Sequence, residues 1–393
     1  MKTRVITRTI RILSLVSLLT DVASEMLYPV MPIYLKSIGF SIVLIGVLEG
    51  IAEATAGLSK GYFGKMSDNM GRRLPFVRWG YSLSALSKPL MALATFPLWI
   101  FSARTIDRLG KGIRTGARDA MLSDEATPET KGRVFGYHRA MDTLGAVIGP
   151  ALALLYLYYY PEQYKRLFYL AFIPGIAAIA FTFLLRDKAP IPKEHRIKTR
   201  FADFFSYWKR SPAAYRRLVA GLLAFALVNS SDVFLLLKIR EAGFSDAAVI
   251  GVYIFYNLVY ALAAYPTGIL ADRIGLKRIF IGGLVLFAAV YFGMVMSDSL
   301  PFYFGLFFLY GIYAAATEGI AKAWISNITE RKDTGVAIGT YTGFQSVCTM
   351  LASAGTGLIW YHSGAATAFT VSGIAVLTIV GYFLVGERDN SRR

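Results

Sequence analysis

Apolar runs of bilayer length follow one another along almost the whole chain, separated by short polar turns. This pattern leaves few folds open. A hydrocarbon core needs about 20 apolar residues per helix. At that length the runs predict twelve spans, near residues 12–36, 43–63, 75–95, 97–121, 134–158, 166–185, 218–239, 246–270, 279–297, 300–324, 336–360 and 366–386. Backbone polar groups in lipid must be satisfied internally, so the runs are expected as helices and the fold as an all-α membrane protein. The composition agrees: 55% of the 393 residues are hydrophobic and 17% are charged, below the usual quarter for soluble domains.

A net charge of +17 in a soluble protein would suggest nucleic acid. Here the basic residues fall in short turns, which reads as orientation in a membrane and not as nucleic-acid binding. Even-numbered turns carry Lys65, Arg72 and Arg73, then Lys131 and Arg133, then Arg273, Lys277 and Arg278, then Arg331 and Lys332. The tails carry Lys2, Arg4, Arg8 and Arg11 at one end and Arg388, Arg392 and Arg393 at the other. Odd-numbered turns are poorer, with Lys36, Lys165, Arg166 and Arg240. Both termini are therefore expected in the cytoplasm, with the chain multi-pass in the inner (plasma) membrane. The basic start resembles a secretory signal, but no small-residue cleavage site follows a short core, so a retained first span is expected. The single Cys348 excludes an internal disulfide framework and a cysteine zinc site, and His138, His195 and His362 are too scattered for a metal path.

The chain is also internally repeated. Gly64-Lys-Met-Ser-Asp68-Asn-Met-Gly71-Arg72-Arg73 follows span 2, and Gly268-Ile-Leu-Ala-Asp272-Arg273-Ile-Gly275-Leu-Lys277-Arg278 follows span 8. Ile38-Gly39-Phe40-Ser41 echoes Ala242-Gly243-Phe244-Ser245, and Lys131-Gly132 to Gly136 echoes Thr334-Gly335 to Gly339. On this register Glu25 matches Asn229, Glu53 matches Asn257 and Asp119 matches Lys322. The expected organisation is a six-helix bundle over 1–185, a basic linker over 186–217 and a second six-helix bundle over 218–393. The linker holds Pro190, Pro192, Phe201, Phe204, Phe205, Tyr207 and Trp208, so part is expected as an amphipathic helix.

Twelve spans in two halves, a basic middle loop and a doubled loop motif resemble the major facilitator superfamily over essentially the whole sequence. The resemblance implies a pseudo-symmetric pair of bundles, alternating access and a substrate site near the midplane between the repeats. It also implies a cytoplasmic gate built from Gly64, Asp68, Gly71, Arg72, Arg73 and Asp119, and from Gly268, Asp272, Gly275, Lys277 and Arg278. In the family the motif acid meets the start of span 11, here Thr334–Gly339, where a positive helix N-terminus favours a carboxylate. Arg72 is expected to pair with Asp119. The bland alternative is a basic loop with tight-turn glycines. Gly145-Ala-Val-Ile-Gly149-Pro150 resembles an element of the superfamily's antiporters, and reads equally as a small-residue packing seam. Arg108 with Gly112 resembles the span-4 motif linked to proton transfer.

Charged groups at membrane depth are costly, so each faces a partner or a polar cavity. Asp21 and Glu25 stand four residues apart on one face of span 1. At 1.5 Å per residue Glu25 lies about 20 Å in, near the midplane. Glu25, Asp21 and Asp142 are the candidates for proton coupling, with Glu318 next. Glu53, Arg104, Arg108, Lys111, Arg139, Asn229, Asp232, Tyr256, Asn257 and Tyr313 are the candidates for a substrate cavity. The alternative for the charges is a static ion-pair network, and for the tyrosines and amides interhelical bonding.

No phosphate loop, zinc-protease motif or nucleophile elbow is present, so neither an enzyme nor ATP-driven transport is expected. The expected energy source is a proton gradient, with no cofactor or metal. The partners are then the lipid bilayer, protons and a small-molecule substrate, and the protein is a monomer. The favoured activity is proton-coupled export of an amphipathic organic solute or drug by antiport. The rivals are transport or flipping of an organic anion, phosphate ester or lipid by the basic face of span 4, and a non-transporting membrane receptor or assembly factor.

Overall fold

The computed structural model describes residues 5–28, 30–31, 34–35, 38–40, 42–187, 203–296 and 298–385, with the backbone alone at 42–54, 203–205 and 246–247. Lys2, Arg4, Arg388, Arg392 and Arg393 of the tails and the Pro190–Phe201 part of the linker lie outside the described residues. Six helices make the first six spans: α1 (Arg8–Glu25), α2 (Ile42–Met70), α3 (Leu74–Leu93), α4 (Pro97–Asp124), α5 (Lys131–Tyr159) and α6 (Tyr164–Thr182). A short α7 (Asp203–Arg210) precedes α8 (Ala213–Ala226) and α9 (Val233–Glu241), which share the seventh span. Then come α10 (Asp246–Ile274), α11 (Leu276–Gly293), α12 (Leu300–Asn327) and α13 (Thr334–Val385). The last helix supplies two spans, because Gly364 adopts φ 81° and turns the chain within it. Glycine tolerates that left-handed backbone without a Cβ clash. The architecture is the twelve-helix fold expected, with no strand among the described residues.

Two spans are interrupted where the sequence predicts continuous helices. α1 ends at Glu25, and the chain turns through Met26–Tyr28. Pro29 follows in the sequence, and a residue before proline is driven out of the helical region. The seventh span breaks between Ala226 and Val233. Asn229-Ser230-Ser231-Asp232 fills the gap, and such side chains compete for backbone hydrogen bonds. The Ser231 N–H donates to the Ser353 hydroxyl at 3.1 Å instead of closing a helical turn. Because Glu25 aligns with Asn229, both breaks fall at the same point of the internal repeat.

Large apolar side chains such as Leu98 (70% exposed) and Tyr361 (84%) stand on the outside. That is the surface a bilayer requires. Inside, α4 carries Arg104, Asp107, Arg108, Arg114, Arg118 and Asp119, all buried. The helix still coincides with the span expected at 97–121.

The chain forms two compact units. The first comprises Met1–Thr127, Met141–Arg210 and Thr329–Gly343; the second comprises Pro128–Ala140, Ser211–Ile328 and Phe344–Arg393. Each unit thus takes the opening turns of one helix, α13 or α5, from the opposite sequence half. Within the first unit α7 packs on α2. Its Tyr207 hydroxyl is hydrogen-bonded to Thr329, and burial pushes its pKa up.

Close helix contacts rest on glycine. A Cβ at Gly80 would lie 2.6 Å from the Arg114 Cβ and 2.7 Å from the Gly110 carbonyl, so α3 and α4 touch backbone to backbone. Gly80→Val is therefore expected to destabilise the first unit by about 1–3 kcal/mol through overpacking. Thermal unfolding in detergent tests this against Gly282→Ala, which meets open space. Equal melting of the two variants would contradict the packing argument.

Candidate functional site

The two motif copies build two clasps. In the first unit the Asp68 carboxylate, 5% exposed, accepts the Val336 N–H at 2.7 Å in the opening turn of α13. The approach needs bare backbone on both sides. A Cβ on Gly64 would lie 2.5 Å from the Gly335 carbonyl, and one on Gly335 would lie 2.7 Å from the Asp68 carboxylate. Gly71, at φ 64°, turns the chain out of α2. Arg73 then folds inward: its guanidinium meets Asp68 at 3.4 Å, pairs with Asp124, and donates to the Arg331 carbonyl at 2.9 Å. Asp124 also accepts from Arg331 Nε at 3.0 Å.

The pairing differs from the one expected. Arg72 points outward and is exposed, whereas Arg73 is buried. Asp119 is fully buried and held by Arg118 at 2.9 Å. The arginine–carboxylate bridge is therefore Arg73–Asp124. The turn at Gly71 sets which arginine faces inward, and Asp124 sits at the last residue of α4, level with it.

The second unit repeats the cap with different support. Asp272 accepts the N–H groups of Gly132 at 2.8 Å and Arg133 at 3.0 Å. A Cβ on Gly268 would come within 2.3 Å of the Gly132 carbonyl. Gly275 turns at φ 104°. Lys277 is half-buried and Arg278 exposed. Where the first clasp has Asp124, this repeat has Asn327, whose amide donates to the Pro128 carbonyl at 3.1 Å. Lys131 Nζ donates to the Ser326 carbonyl at 2.6 Å.

The first unit also holds the acidic and basic groups of α1, α3 and α4, with Asp142 of α5. Asp107 is paired with Lys88 at 2.7 Å and Arg104 at 3.5 Å. Lys88 also donates to Ser24 at 3.2 Å. Asp142 accepts from the Ser17 hydroxyl, which in turn accepts from Arg118 at 3.2 Å. The Asp21 and Asp142 carboxyls stand beside each other, with Glu25 and Lys111 near Asp21. Glu25 faces Lys111, Arg108 and Arg104. The Gly145/Gly149 seam lies against this stretch of α1. A Cβ at Gly145 would meet the Leu18 carbonyl at 2.6 Å and the Asp21 Cβ at 2.8 Å, and one at Gly149 the Met26 nitrogen at 2.7 Å. Lys88 was not singled out by the sequence; its signal was a lone lysine in an apolar run. The side chain of Glu53 lies outside the described residues.

The second unit carries a tyrosine-rich group. Tyr310 donates to Asp232 at 2.9 Å. Its ring lies 5.0 Å from both Tyr256 and Tyr313. Tyr313 packs on Phe225 and Phe287. Arg139 pairs with Glu318, bonds the Tyr260 hydroxyl and lies over that ring, 5.3 Å from its centroid. Asn257 donates to the Tyr253 carbonyl of its own helix at 3.0 Å. The buried Oδ1 of Asn229 has no hydrogen-bond partner. No cluster of metal-holding side chains occurs among the described residues.

Residues 13–256 and 234–393 match the family model of the Major Facilitator Superfamily. An uncharacterized MFS-type transporter of Methanocaldococcus jannaschii is 30% identical over 95% of this chain and 94% of its own. A staphyloferrin B transporter of Staphylococcus aureus is 24% identical over 95% of this chain and 91% of its own. Among solved structures, the human organic anion transporter MFSD10 (TETRAN) superposes with a TM-score of 0.78 at 17% identity, over 96% of this chain and 99% of its own. That last likeness shows the fold alone.

Removing the Asp68 carboxylate leaves the buried Val336 N–H without an acceptor. Loss of a charge-assisted bond of about 1.5–3 kcal/mol should speed amide exchange in the first turn of α13 by about tenfold or more in Asp68→Ala. Hydrogen exchange with peptide-level readout checks this, and wild-type protection of Thr334–Gly339 in the variant would refute it.

Proposed function

The chain belongs to the Major Facilitator Superfamily, and on that footing we propose that it is a proton-coupled transporter that exports an amphipathic organic solute by antiport. It is a multi-pass membrane transporter and not an enzyme. The finer reading is carried by one observation: Asp21 and Asp142 set their carboxyls side by side near Glu25, which is set against Lys111, Arg108 and Arg104.

Two adjacent carboxyls can share one proton and release it when a positive charge or a conformational change separates them. Glu25 lies one helical turn from Asp21, on the same face, so both acids sense the same change. The Gly145/Gly149 seam grips the α1 backbone at this level, so movement of α5 and movement of the acids are coupled through direct contact. This gives the antiporter-like element a physical task. The Asp107–Lys88–Arg104 and Asp119–Arg118 pairs are self-compensating and serve as scaffold. Tyrosine faces and the Asp232, Arg139 and Glu318 charges of the second unit offer stacking and hydrogen bonds to an organic solute.

The clasps serve as the cytoplasmic gate of alternating access: both close on helix N-termini, and both must open for inward access. The basic turns they sit in place that end in the cytoplasm, with both termini, in the plasma membrane. The proton gradient is the energy source and the monomer is the working form.

The second reading, an organic anion as substrate, is favoured by Lys111, which is exposed on α4 while Arg108 lies one turn away. Flux assays in proteoliposomes across cationic, anionic and lipid-like solutes separate the two. Under the favoured reading Glu25→Gln abolishes gradient-driven accumulation but keeps counterflow exchange; unchanged gradient-driven transport would remove Glu25 from coupling. Lys111→Gln, at an exposed side chain, should leave counterflow exchange of a cationic solute within about threefold of wild type, whereas collapse of anion affinity in this variant would establish the second reading.

A further inference from the structure

At the clasp end of the first unit, a groove of about 370 Å³ runs between the start of α1 and the chain leaving α6. Its lining is Arg8, Thr9, Ile12, Phe183, Leu184 and Arg186. Arg8 and Arg186 are both exposed. The acids nearest in the chain do not neutralise them. Asp187 is turned to the N–H groups of Arg73 and Leu74, at 3.2 and 3.0 Å, and caps α3. Glu125 accepts from the Thr7 hydroxyl at 2.7 Å. A third arginine, Arg78, lies 4.9 Å from the centroid of the Phe183 ring, and its buried Nε has no hydrogen-bond partner. The other half of the groove is apolar: Phe183 is 65% and Leu184 51% exposed, at the outer edge of α6.

We propose that this groove binds the headgroup of an acidic phospholipid, with the phosphodiester between Arg8 and Arg186 and an acyl chain along Phe183 and Leu184. Guanidinium groups suit phosphate because their forked donors match its oxygens. The Thr9 hydroxyl adds a donor. The positive end of α1 adds field of the same sign as the arginines. A free phosphate would use the arginines but leave Phe183 and Leu184 without purpose; a lipid uses both. Basic residues beside a membrane surface attract anionic lipid in this way. The bound lipid sits against the clasp, because Thr9 and Arg186 also line the recess that contains Asp68, Arg73 and Asp124.

Native mass spectrometry on the full chain, purified in detergent and titrated with phosphatidylglycerol or phosphatidylcholine, tests the site. The wild type should retain phosphatidylglycerol in preference to phosphatidylcholine. Each of Arg8→Gln and Arg186→Gln should lower retention by about fivefold, and the double variant by more. The exposed pair Lys209→Gln/Arg210→Gln, outside the groove, should retain it as wild type does. Thermal melting of the single variants, whose changed side chains are exposed, separates lipid loss from unfolding. Equal retention in the double variant, equal retention of phosphatidylcholine, or displacement by millimolar inorganic phosphate would each overturn the proposal.

Discussion

A carboxylate from one sequence half capping a helix that begins in the other is the interaction on which this molecule turns. Asp68 takes the Val336 N–H, and Asp272 takes those of Gly132 and Arg133. The first turn of a helix has donors that its own backbone cannot satisfy. In lipid or at its edge, leaving them bare is costly. Capping them from the opposite half ties folding of each motif to that of its partner helix. It also explains why the compact units exchange the opening turns of α5 and α13.

The glycines follow from that cap. Acid and helix end can meet only if the facing backbones lack side chains, and Gly64–Gly335 and Gly268–Gly132 are pairs of that kind. The motif is thus one device, not a basic loop with incidental glycines. The interior charges divide in a similar way. Lys88–Asp107–Arg104 and Arg118–Asp119 compensate one another within the first unit. Asp21, Asp142 and Glu25 form a further group, in which acids stand near one another and near Lys111.

The sequence disclosed what periodicity and repetition encode. The succession of spans follows from apolar runs, and the paired clasps follow from a motif that occurs twice. What escaped depended on geometry finer than these signals. Whether Arg72 or Arg73 turns inward is decided by the positive φ at Gly71, which also moves the partner from Asp119 to the end of α4 at Asp124. The interruptions in the first and seventh spans escaped because hydropathy continues through them. Pro29 and the Asn229–Asp232 string carried the signal, yet a polar string can equally line a continuous helix. Lys88 escaped because a lone lysine carries no motif, and its partner Asp107 is near only after α3 and α4 pack.

The replacement of Asp124 by Asn327 in the second clasp has its own consequence. The first closure is reinforced by two arginines converging on one carboxylate; the second is reinforced by an amide and a lysine resting on backbone carbonyls, with the Arg133 guanidinium 3.7 Å from Asp272. Mobile ions screen exposed charge pairs and act far less on buried ones. Rising ionic strength therefore strips the outer arms, Arg331 on one side and Arg133 on the other, while the caps and the buried Arg73–Asp124 pair stay shut.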